Sequence, residues 1–290
     1  MSKPGQTDTG TSEPIVFRSG LESVVVFLVG VATAPLVLFL LAGRFVPPGP
    51  VANAVVTAAG ITIVAAFAWM VLRTEGVSAD DVGLSWGAIV PGVLPVALVW
   101  LGVNAIGFGL LALQGQSPTV GLPADSAVVW FATAVAMWVF VGPGEEFAFR
   151  GYLQNKALAH ADRWSGNRRI AAGILAASAV FSVLHVPQLR LVQGLPVPEV
   201  ASFLILWAVY AIVLGTVYEL TRNVVLVGAL HGTFNHQPIF LLDDAGDPTI
   251  GLTILVLPLG AVAVLGYRRW ARRARPKDFR PQRADPGAGR

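Results

Sequence analysis

Eight runs of about twenty apolar residues dominate the chain, at roughly 22–43, 51–72, 88–113, 127–156, 170–187, 200–221, 224–242 and 250–270. A helix needs about 20 such residues to cross the hydrocarbon core of a bilayer. The pieces between them are punctuated by turn formers, as in Pro47-Pro48-Gly49-Pro50 and Asp243-Asp244-Ala245-Gly246-Asp247-Pro248. Lipid offers no partner to a backbone amide, so runs of this kind must satisfy their own N–H and C=O groups, and they do so as helices. The expected fold is all-α, a polytopic transmembrane helical bundle of about eight spans.

Composition supports the same reading. Charged residues make up 13% of the chain, where soluble domains carry about 25%. There is no cysteine, which rules out disulfides, thiolate metal sites, thiol nucleophiles and lipid chains attached to this protein's own thiols. About twenty polar residues precede the first run, which is too long for a signal-peptide core and is read as a retained span. The expected organisation is a disordered cytoplasmic segment over 1–20, a transmembrane domain over 21–270, and a basic cytoplasmic tail over 271–290. The tail reads as an anchor to anionic lipid, with no nucleic-acid partner implied.

Orientation follows from Lys and Arg. An eight-span chain keeps both termini on one side. That side collects seventeen of the twenty basic residues, among them Lys156, Arg169, Arg222 and the Arg-rich tail. The opposite side holds Arg44 and Arg190, while Arg150 falls inside the fourth run. The expected localisation is the cell membrane, multi-pass, with both termini cytoplasmic.

Three runs carry ionisable groups away from their ends, each costing about 2.5–3.5 kcal/mol to insert. The fourth has Gly144-Glu145-Glu146-Phe147-Ala148-Phe149-Arg150, the fifth ends Phe181-Ser182-Val183-Leu184-His185, and the seventh has His231-Gly232-Thr233-Phe234-Asn235-His236. Glu146 and Arg150 stand at i and i+4, so they share a helix face and can pair. Glu145 points about 100° away from that face, toward a cavity. His231 and Asn235 share a face for the same reason. Counted from the nearest basic anchor, Glu145 lies about 16 Å deep, His185 about 24 Å, and His231 and Asn235 about 14 and 20 Å. All four reach mid-membrane depth and can converge.

Residue type then suggests a chemistry. A carboxylate in an apolar bundle can take a proton from water, and a neighbouring imidazole can orient that water or relay the proton. An imidazole and a carboxamide on a third helix can donate to a developing oxyanion. Each motif alone also has a plain structural reading. Glu145, Glu146 and Arg150 can form an ion pair between helices, His185 can be a satisfied polar group, and His231 with Asn235 can be interhelical hydrogen-bond glue. Other protease chemistries lack their signatures: there is no His-Glu-x-x-His, no Gly-x-Ser-Gly and no Gly-x-Gly-Asp.

At these residues the sequence resembles the CPBP family of intramembrane endopeptidases, which includes the type II CAAX prenyl proteases. That family's pattern is Glu-Glu-x-x-x-Arg, Phe-x-x-x-His and His-x-x-x-Asn on three transmembrane helices. Glu145-Glu146…Arg150, Phe181…His185 and His231…Asn235 meet it in order, within a motif core over 126–243. The resemblance implies a glutamate-dependent endopeptidase in which Glu145 and His185 activate water. It further implies that Glu146 and Arg150 brace the site and that His231 and Asn235 stabilise the oxyanion. Its implied partners are the lipid bilayer and a peptide or lipidated protein substrate, prenylated CAAX-type proteins among them. No cofactor is expected, although a Glu/His/His/Asn set is also a competent donor set for a divalent metal. Two other classes stand beside the protease. A proton-coupled transporter also needs intramembrane Glu and His, but the two halves of the chain show no repeat. A non-catalytic immunity or scaffold protein of the same fold has no need of an unpaired Glu145.

Overall fold

The computed structural model describes residues 15–122, 126–242, 250–274 and 282–283. Its helices are α1 (Glu22–Phe45), α2 (Pro50–Glu75), α3 (Trp86–Leu113), α4 (Ala127–His160), α5 (Gly166–Leu184), α6 (Val197–Thr221), α7 (Val224–Asn235) and α8 (Val256–Ala274). The fold is an all-α polytopic bundle, as its apolar runs predict. With their flanking turns, seven helices are long and apolar enough to cross a membrane. The run over 224–242 differs. Its helix α7 has 12 residues, about 18 Å at 1.5 Å per residue, and the chain continues from His236 as extended backbone. Pro238 accounts for the stop, because its ring disfavours helical geometry at Gln237 and it offers no N–H of its own.

The two-sidedness expected from the charges has a structural counterpart. At one end of the bundle, the loop before α3 meets the α6–α7 junction: Val224 N donates to Gly83 O at 3.2 Å and Tyr218 Oη to Val82 O at 3.0 Å. There Arg222 Nη1 also donates to Asn155 Oδ1 at 2.8 Å. At the other end, β2 (Thr119–Val120) pairs antiparallel with β3 (Leu241–Leu242). Asn104 of α3 clamps that strand segment, donating to Pro238 O at 2.9 Å and accepting from Phe240 N at 2.8 Å. Loops assigned to the same side by charge therefore touch one another.

The expected disorder through residue 20 lies outside the described residues up to residue 14. From Ile15 onward the segment is built into the fold. β1 (Val16–Phe17) runs parallel to β4 (Gln282–Arg283), and Phe17 is fully buried. Arg18 N and Ser19 N donate to Glu75 Oε2 at 2.7 and 2.8 Å. Glu75 Oε1 takes Lys156 Nζ at 2.5 Å, and both side chains are buried. Lys156 is therefore an interior cation holding the chain terminus to α2 and α4, in place of the surface anchor its sequence position suggests. Of the basic tail, 271–274 extend α8 and most of the remainder lies outside the described residues.

The site is positioned by the contact between α4 and α7, which is made of glycine. Gly228 and Gly232 stand one turn apart on α7, a small-xxx-small spacing that lets helix backbones touch. A Cβ at Gly228 would meet Pro143 Cα at 2.6 Å, and one at Gly142 would strike the Gly228 carbonyl oxygen. A Cβ at Gly232 would strike the Met137 carbonyl oxygen. His231 is thereby carried against the turn that bears Glu145 and Glu146. That turn is itself unusual: α4 is α-helical over Gly142–Glu146 but widens to π-helix at Ala136–Val141 and Phe147–Gln154 on either side. Such widening re-aims side chains and is common at functional sites. Pro143, which lacks an N–H, contributes to it by removing one rung of the helical ladder.

Candidate active site

Glu146 and Arg150 pair as their spacing predicts, Nη1 to Oε1 at 3.0 Å, and Arg150 Nη2 donates to the Ala211 carbonyl of α6 at 2.9 Å. Both residues are buried, at 0% and 1% exposure, and His231 at 3%. His231 Nδ1 lies 2.7 Å from the same Glu146 Oε1. Since a carboxylate oxygen accepts, Nδ1 carries the proton. Its other nitrogen, Nε2, lies 3.7 Å from Glu145 Oε2, beyond direct hydrogen-bond reach but close enough for one water to touch both. Glu145 points off the Glu146–Arg150 face and keeps its side chain 12% exposed. The four residues form a line, Arg150–Glu146–His231–Glu145. Two carboxylates face one guanidinium and one imidazole along it.

His185 caps α5 and joins the cluster through aromatic rings. Its Nδ1 lies 2.7 Å from the Phe181 carbonyl oxygen, which fixes the proton on Nδ1 and leaves Nε2 a bare acceptor. The His185 ring lies 4.6 Å from those of both Phe181 and Trp207. Phe181 in turn reaches the His231 ring at 6.2 Å and lies under the Arg150 guanidinium at 5.1 Å. Asn235 stands apart. It is the last residue of α7 and exposed, one turn beyond His231, and it makes no hydrogen bond to the other site residues among the described residues. Glu219 pairs with Arg222 at 2.9 Å near the basic end, away from this cluster.

Helix α6 contributes side chains that carry no motif. Trp207 walls His185, and Tyr210 stands edge-on to His231 with ring centroids 5.5 Å apart and an interplanar angle of 80°. The residue after Tyr210 supplies the carbonyl that receives Arg150. Their sequence context is an unbroken apolar run, so only the three-helix geometry brings them in. The Gly228/Gly232 spacing was available as a sequence signal for the α4–α7 contact. Among the described residues, no three His, Cys, Asp or Glu side chains group as a metal-binding set.

Residues 127–236 match the family model described as Rce1-like, type II CAAX prenyl endopeptidase Rce1-like. The matched segment runs from the start of α4 to just past the end of α7, so it contains every residue of the cluster; α1–α3 and α8 lie outside it. No curated protein and no solved structure matches the chain.

Proposed function

From the Rce1-like segment over 127–236, which supports an intramembrane protease of the CAAX type, we propose a glutamate-dependent endopeptidase that cuts peptides at the membrane. The observation that carries this reading is the buried line Arg150–Glu146–His231–Glu145, whose far end carries a partly accessible carboxylate 3.7 Å from an imidazole nitrogen.

In this mechanism a water held by Glu145, with His231 Nε2 and the bare His185 Nε2 as further acceptors, attacks the peptide carbonyl carbon. Its proton passes to the Glu145–His231 pair, which then returns one to the departing amine, so the breaking C–N bond leaves as a neutral amine. Glu146 and Arg150 hold His231 in the tautomer and orientation that this transfer needs. Asn235 enters only as a donor one turn beyond His231, where its exposure leaves it free to meet substrate. No step requires a metal ion.

The substrates proposed are membrane-associated peptides, prenylated CAAX-type C-termini among them, reached from the basic end of the bundle. That end is assigned to the cytoplasm by its Lys and Arg content. The test is cleavage of a quenched farnesylated C-terminal peptide by purified protein, with Glu145→Gln, His185→Ala and a chelator as arms. Activity lost in both variants and spared by the chelator supports the reading. Loss to the chelator overturns the metal-free mechanism, and cleavage by Glu145→Gln at the wild-type rate overturns the glutamate mechanism.

A further inference from the structure

We propose that the Tyr210 hydroxyl is a catalytic hydrogen-bond donor, holding the carbonyl oxygen of the scissile peptide as it gains negative charge. The inference rests on the protease reading above and adds a residue to it.

The Tyr210 hydroxyl is shut away from the surface and has no hydrogen-bond partner among the described residues. A buried phenol nearly always finds one, because an unmade bond in the interior is costly. The ring is nonetheless fixed firmly, edge-on to His231 at 5.5 Å and beside Phe234 at 5.5 Å. A hydroxyl held in place and given nothing to bind is arranged for a group that arrives later.

The rest of the cluster shows what is missing. Hydrolysis through a tetrahedral intermediate needs acceptors for the water's protons and donors for the oxyanion. Acceptors are in surplus: Glu145, the unpartnered Glu146 Oε2, and His185 Nε2. Donors are mostly committed. His231 Nδ1 is turned onto Glu146, His185 Nδ1 onto Phe181 O, and Arg150 onto Glu146 and Ala211 O. Asn235 and the Trp207 indole N–H also make no hydrogen bond among the described residues, but Asn235 sits exposed at the helix end and Trp207 is only partly buried. Tyr210 O–H is the one buried donor of the cluster with no acceptor, and it stands beside the imidazole that faces Glu145. The phenol keeps its proton throughout: it stabilises the oxygen that accepts the carbonyl's π electrons and gives nothing to the leaving amine.

The test compares wild type, Tyr210→Phe and Glu145→Gln on two quenched membrane peptides, one farnesylated and one not, with thermal unfolding measured in the same detergent. Phenylalanine keeps the ring contacts, so the expected result is an unfolding temperature no lower than wild type. The expected kcat falls about 100-fold, the loss typical of one oxyanion donor, with KM within about 3-fold. A non-cleavable phosphinate peptide, whose tetrahedral centre carries the oxyanion, should raise the unfolding temperature of wild type more than that of Tyr210→Phe. A wild-type kcat in Tyr210→Phe, with Glu145→Gln inactive, overturns the assignment and leaves the protease standing. So does a lowered unfolding temperature with undiminished response to the phosphinate, which marks a structural hydroxyl. Wild type that cuts neither peptide, behaving as Glu145→Gln does, overturns the protease reading and this one together.

Discussion

Helix α4 carries two buried charge clusters, with Glu146 and Lys156 about three turns apart, and they are finished to different degrees. At the basic end, Glu75 is saturated: Oε1 receives Lys156 Nζ, Ser23 Oγ at 3.0 Å and the Ser19 hydroxyl, and Oε2 receives two backbone amides. Ser23 in turn accepts from Tyr152 Oη at 3.0 Å. In mid-bundle, among the described residues, Glu146 Oε2 and the Tyr210 hydroxyl have no partner, His185 Nε2 is bare, and Glu145 meets only a distant imidazole nitrogen. Both clusters are buried and charged, so burial and charge do not separate structure from chemistry here. The number of unmade hydrogen bonds does. A saturated network holds helices together, and an unsaturated one has room for water and substrate.

Breaking each cluster should therefore give opposite phenotypes. Glu145→Gln should cost about 1,000-fold or more in kcat/KM, with an unchanged unfolding temperature; a folded variant retaining a tenth of the activity would erase the distinction. Lys156→Ala should cost about 3–5 kcal/mol of stability by stranding the Glu75 charge, while the activity per folded molecule stays near wild type. Pairing Lys156→Met with Glu75→Gln should recover part of that loss in chemical unfolding, since no charge is then left alone and a side-chain carbonyl remains to accept from Arg18 N or Ser19 N. Gly228→Ala probes the seam between α4 and α7: a Cβ pushing on Pro143 should cost about 1–3 kcal/mol. It should also lower kcat out of proportion, by moving His231 from the glutamates. The smallest effect is expected for Ser23→Ala, about 1 kcal/mol in thermal unfolding with no change in rate. A rate effect there would mean that the two clusters communicate along α4.

The elements legible in the chain were those set by local rules. Apolar run length marked the helices, and the i, i+4 rule paired Glu146 with Arg150 and turned Glu145 aside. What stayed hidden depends on helices distant in sequence. Glu75 and Lys156 are 81 positions apart and each looks like an ordinary polar residue at a helix end. Trp207 and Tyr210 are indistinguishable from lipid-facing aromatics until α6 is docked on α4 and α5. Asn235 shares the motif of His231, yet the helix ends at it, and the end of a helix leaves a side chain outside the packed face that holds its neighbour one turn earlier. The halt of α7 after 12 residues traces to Pro238, a local cause outweighed in the sequence by the apolar residues around it.

The glycine seam has a consequence for temperature. Where α4 and α7 touch there are no side chains at Gly142, Gly228 and Gly232, so no rotamers remain to be frozen when a peptide binds. The distance between His231 and the glutamates is set by backbone against backbone and was settled when the protein folded. Binding then draws little conformational entropy from this part of the molecule, and the activation entropy of cleavage should belong chiefly to the peptide and its water.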